Sequence, residues 1–136
     1  MSTKLGYGCL PTAIGSMPHT NPQEACSQVM KYLPTVPAWP QLPKRSFIEN
    51  MYVQFSEDFP GIVVEGEGIF VDRSLDIDQS LEQLYTACQE LTANSIAISS
   101  EHAAGLHAFL SLDMELPLAV KGHVTGPISW GLAVTD

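Results

Sequence analysis

TAIGSMPHT, residues Thr12 to Thr20, is the stretch on which the fold turns. Leu10 to Ile14 reads as a short buried strand, Gly15-Ser16 closes it, and Pro18-His19 leads into a helix start. Thr20 or Asn21 offers the N-cap, Pro22 fits the first helical position, and Gln23 or Glu24 can close a capping box. The spacing of Ala25, Val29, Met30 and Leu33 predicts an amphipathic helix that Pro34 stops, and the compact run Val36 to Trp39 predicts a second strand. Strand, helix, strand is the order of an α/β chain, and such chains bind ligands at the carboxyl ends of their strands. Ile14, Gly15 and Ser16 stand at such an end.

A second segment near the other terminus, VKGHVTGPISWG from Val120 to Gly131, has the same shape. Leu116 to Val124 is a near-continuous apolar run broken by Lys121 and His123, as expected of a parallel strand covered on both faces, and Gly126-Pro127 starts a helix. Between the two segments, Pro37, Pro40 and Pro43 make WPQLP a stiff, extended connection whose missing donors exclude it from the middle of a sheet. Ser46 and Glu49 form a capping box for a helix with Phe47, Ile48, Met51, Tyr52 and Phe55 on one face. IVVEGEGIFVD, Ile62 to Asp72, places two β-branched arms around a Gly-rich centre and predicts a hairpin. Asp78 to about Leu91 predicts a helix with Leu81, Leu84, Tyr85, Cys88 and Leu91 on its buried side. Ile96 to Ile98 is a short strand or an apolar linker, and Ser100 to about Leu112 is a helix with Ala103, Leu106, His107 and Leu110 on one side.

At 136 residues, with 45% hydrophobic and 15% charged residues, the chain is expected to form a single domain, residues 1–136. Lys and Arg number 6 against 15 Asp and Glu, so a net charge of -9 would repel a polyanionic backbone and nucleic acid is a poor partner. No apolar run approaches the roughly 20 residues needed to span a bilayer, and a soluble, cytoplasmic protein is expected. Cys9, Cys26 and Cys88 are odd in number and widely spaced, which suggests reduced thiols rather than a disulfide framework or a zinc knuckle.

TAIGSMPHT, WPQLPKRSFIENM (Trp39 to Met51) and VKGHVTGPISWG together resemble the cobalamin-independent methionine synthase-like branch of the uroporphyrinogen decarboxylase and methionine synthase superfamily. The resemblance implies a (β/α)8 TIM barrel. A whole barrel takes about 250 residues, so the chain is expected to be a partial one, its amino-terminal half, with a β-hairpin insertion. It further implies methyl transfer to a thiol such as homocysteine, with zinc activating the thiol in the complete enzyme. The chain carries no His-x-Cys arrangement, so no zinc ligand and no cofactor is assigned to it, its catalytic residues are unknown, and alone it is expected to be inactive. Corrinoid-linked methyl transfer and a uroporphyrinogen decarboxylase-like activity are the alternatives within the superfamily; a noncatalytic interaction fragment is the alternative outside it.

The Ile14-Gly15-Ser16 turn looks like the family's contact to the amino-acid part of the substrate. Gly15 permits close approach of the backbone, and Ser16 offers a hydroxyl and an amide donor to a carboxylate; a tight turn satisfying its own backbone is the plain alternative. His123 alternates with Lys121 and Thr125, which puts all three on one strand face. His123 and Thr125 are candidate pocket residues, with Lys121 and the loop residue His19 behind them, and a hydrogen-bonded core histidine is the alternative for His123. Expected partners are a small thiol or amino-acid substrate with a methyl donor in the parent enzyme, and further copies of the chain, since an incomplete barrel leaves an edge to cover.

Overall fold

A computed structural model describes residues 8–90 and 97–134. Helix α1, Pro22–Tyr32, begins as its sequence dictates: Asn21 is the N-cap, its side chain accepting from the Glu24 N–H at 3.0 Å, and Pro22 opens the first turn. Its inner face, Ala25, Cys26 and Val29, packs against α4, Ala104–Leu110. Cys26, Val29, Trp39 and Phe109 form the core, with Met17, Met30 and Leu106 around it. Of the expected side, Ala103 is buried and Leu106 packs against the core, but His107 and Leu110 are exposed, and Gly105 and Phe109 are buried in their place. The helix is turned because the Pro40 carbonyl lies where a Gly105 side chain would be, and because His107 uses its Nε2 on the Ile98 carbonyl at 2.9 Å.

The expected half-barrel does not form. Among the described residues there are five α-helices and one regular sheet, a hairpin of two antiparallel strands, β1 (Ile62–Glu65) and β2 (Gly68–Val71). Ile62 pairs with Val71 and Glu65 with Gly68 around the Gly66-Glu67 turn, as the two β-branched arms predict. The runs expected as barrel strands are extended but meet only at two isolated parallel bridges, Ser16 with Gln41 and Ala38 with Lys121. Proline is the physical reason. Pro37 and Pro40 have no N–H to give a ladder, and the chain changes its hydrogen-bonding side between them. The Pro37 carbonyl accepts from the Lys121 N–H at 2.9 Å, yet Gln41, which a regular strand would aim the same way, donates to the Gly15 carbonyl at 2.7 Å. The Leu116–Val124 run is not covered on both faces either, since Leu116 is 97% exposed.

Other boundaries move for local reasons. The expected second helix is split into a 3-10 turn, Phe47–Glu49, and a single α-turn, α2 (Met51–Gln54), because Asn50 is extended and caps the Tyr52 N–H at 3.1 Å. Ser46 makes no capping bond with its side chain; Glu49 is buried and bound to Arg45 instead. Helix α3, Asp78–Glu90, forms where periodicity places it but, contrary to expectation, buries none of its described residues. Leu91 and Ile96 lie outside the described residues. Helix α5, Pro127–Ala133, starts at Gly126-Pro127 as expected. Among the described residues no helix is long and apolar enough to cross a membrane.

Candidate functional site

Three extended segments bring Gly15, Trp39, Lys121 and His123 together. The His123 imidazole lies flat on the Trp39 indole, with ring centroids 4.6 Å apart and planes 7° from parallel. Its edge meets the backbone of Gly15: a Cβ there would stand 2.2 Å from His123 Cε1 and 2.5 Å from the Trp39 carbonyl oxygen. Hydrogen at position 15 is therefore what lets the two segments close. Lys121 reaches the same strand end and donates from Nζ to the Ala13 carbonyl at 2.9 Å.

Among the described residues His123 is the one side chain with two buried nitrogens and no hydrogen-bond partner for either. Burial, and secondarily the Lys121 ammonium, hold its pKa below the usual histidine value. A neutral imidazole carries one donor and one acceptor, and leaving both unmet is a cost of about 1–3 kcal/mol each. The depressed pKa also has a definite sign: stability is held at neutral pH and lost as acid drives protons onto a ring that the unfolded chain accepts more readily.

The other expected site residues divide. Ile14 is 76% exposed and lines, with Gly15, Ser16 and Met17, a cavity of about 310 Å³ closed on its far side by Val29, Tyr32 and Leu33. Ser16 is exposed at its mouth, so its hydroxyl is open to a ligand. Thr125 is not part of this group: it donates to the Met51 carbonyl at 3.2 Å and lines a separate cavity of about 290 Å³ with Phe55, Phe59 and Trp130. His19 is half-buried, with its Nδ1 unpartnered, but makes no contact that ties it to His123. Trp39 both packs in the core and stacks on His123.

A buried polar chain beneath the site also escaped the sequence. Gln41 Nε2 donates to Gln54 Oε1 at 2.8 Å, and Gln54 Nε2 donates to the His102 carbonyl at 2.6 Å. His102 in turn meets Glu57 Oε1 at 3.1 Å and Ser99 Oγ at 3.2 Å. A serine, a histidine and a glutamate in contact are not a nucleophilic triad here, because both partners approach the same ring nitrogen, Nδ1, and a triad needs the two on opposite nitrogens. The cluster ties the 97–102 segment to the region after α2.

Arg45 and Glu49, four residues apart, form an ion pair at 2.6 Å in which the glutamate side chain is wholly buried and the arginine partly exposed. The i,i+4 spacing was the available signal, masked by reading Glu49 as a capping residue. Burial pushes the Glu49 carboxyl above its usual range, against the pull of Arg45. Arg45→Ala is expected to cost about 2 kcal/mol at neutral pH, less than the 3–5 of a fully buried pair because water reaches the guanidinium. A raised acid binds its proton more tightly in the folded state, so its stabilisation is present below the unfolded pKa and lost as pH rises through the folded one. The deficit of the variant is therefore expected to be small in acid and to grow as pH climbs past the carboxylate range, as measured by urea unfolding at several pH values.

The zinc implied by the sequence resemblance finds no ligand set here: among the described residues no three His, Cys, Asp or Glu side chains converge. Cys26 is buried with its thiol directed at the Gly105 carbonyl at 3.8 Å, and Cys9 and Cys88 are exposed. Compared with family models, curated proteins and solved structures, the chain matches none.

Proposed function

We propose that the Gly15-Ser16 turn and the Trp39–His123 stack form a binding site for the amino-acid part of a small thiol substrate, as in methyl transfer to homocysteine. The observation that carries this is the His123 ring, held between Trp39 and Gly15 with two nitrogens lacking partners. Both nitrogens are sealed from solvent, so a zwitterionic ligand, which carries both an acceptor and a donor, engages them as the ring swings off the indole, while its carboxylate takes the exposed Ser16 hydroxyl. The apolar cavity beside Ser16, lined by residues 13–18 and by α1 rather than by His123 or Trp39, suits the aliphatic part of the same molecule across the turn. Methyl transfer itself rests on the likeness of three sequence segments, and no residue of this chain is assigned to that chemistry. A porphyrinogen-type substrate, which needs several arginines for its carboxylates, is disfavoured because Arg45 is already committed to Glu49.

Titration with homocysteine and with methionine, followed by NMR of the histidine imidazoles and by calorimetry, tests the proposal. Binding is expected to move the His123 resonances and to raise its pKa as an anionic group arrives. His123→Ala is expected to weaken binding at least about tenfold, the loss of one good hydrogen bond, with the fold retained by circular dichroism. Absence of any His123 response at about 10 mM ligand, above the usual 1 μM–1 mM range of substrate affinities, would falsify the site.

A further inference from the structure

The segment 116–124 carries its polarity the wrong way round for an edge. Its inward positions are Lys121, His123 and Thr125, while the alternate positions Leu116, Leu118, Val120 and Val124 face solvent. The backbone follows the same alternation. Ala119 and Lys121 donate inward to the Thr35 and Pro37 carbonyls, which turns the N–H and C=O groups of Val120, and of Gly122 beyond it, to the free side, with a bend in the chain at Leu118. Among the described residues those groups make no hydrogen bond. Edges of soluble proteins are normally protected by an outward Lys, a Pro or a bulge; none stands at the even positions here, and Pro117 and Lys121 both fall on the inward set.

We propose that two copies of this chain pair antiparallel along this edge, about a two-fold axis through Val120. In that register Val120 faces its own counterpart, Leu118 faces Gly122, and Leu116 faces Val124, so large side chains meet small or β-branched ones. Lys121 falls opposite Ala119, and no like charges are brought together. For a chain of net charge -9 this matters: residues 116–134 hold a single charged side chain, Lys121, so this is where two copies repel least. The four outward side chains are large and apolar and 44–97% exposed, so pairing the edges also removes apolar surface from water.

Light scattering across a dilution from about 100 μM to about 1 μM, the range in which such an interface is expected to dissociate, should show a dimer that dissociates on dilution. Val120→Lys sets two ammonium groups face to face and is expected to raise the dissociation constant at least about 100-fold, with circular dichroism unchanged because Val120 is half outside the fold already. Geometry is tested separately. Facing residues of a hydrogen-bonded antiparallel pair lie about 5.5 Å apart, within disulfide reach, so Val120→Cys with Cys9 and Cys88 changed to serine should cross-link to itself on oxidation, and Leu75→Cys in the same background should not. A monomer at every concentration overturns the proposal, as does a dimer that Val120→Lys leaves intact or that Val120→Cys fails to trap.

Discussion

Gly105→Ala is expected to destabilise the protein by about 3 kcal/mol or more, although helix propensity alone favours alanine by about 1 kcal/mol in a helix interior. The sign is reversed by one contact. A Cβ at position 105 would lie 2.0 Å from the Pro40 carbonyl oxygen and 2.9 Å from its carbon, both backbone atoms held by the buried stretch Pro37–Leu42. That stretch cannot retreat, because Gln41 is bonded to Gly15 and Met17 through the backbone and to Gln54 through its side chain. Relief must come from moving α4, which disturbs the packing of Phe109 on Cys26 and Val29. Urea unfolding gives the measurement; a variant as stable as the wild type would show that the approach of α4 to Pro40 is not tight.

Gly15→Ala is expected to have the second largest effect, on binding as well as on stability. Part of the clash is with the His123 ring, which can rotate away, and part is with the Trp39 carbonyl, which cannot. The expected cost is about 2 kcal/mol, within the range for overpacking a filled site. Release of His123 from the indole is expected to change Trp39 fluorescence and to remove the acid sensitivity of that signal, since the ring is then hydrated and titrates in water. Homocysteine binding should fall below detection in the same variant. Retained binding with a displaced His123 would mean that Ser16 and the cavity beside it recognise the ligand without the imidazole.

Local signals in the sequence proved dependable where a single residue's chemistry decides the outcome. Asn21 with Pro22, the Gly66-centred hairpin and Gly126-Pro127 each place an element end correctly, because capping, turn geometry and a missing N–H act over four residues. Glu49 shows the limit: the same Ser-x-x-Glu spacing that signals a cap is overridden when the carboxylate is buried and paired with Arg45 instead. The parallel sheet failed for a different reason. Apolar content at Val36–Trp39 and Leu116–Val124 reported burial potential, but pairing is settled between distant segments, and the prolines confine it to two bridges. Of the site, the meeting of Gly15 with His123 was legible from two similar strand ends. The separation of Thr125 was not, because it depends on where Met51 comes to rest.

The proline spacing at 37, 40 and 43 has an effect on the unfolded chain as well. A ring every third residue biases the region towards an extended shape before any contact is made, so little freedom is surrendered there on folding. The 12–17 and 119–123 segments then close on a template that is already stiff, and the cost of ordering falls on them.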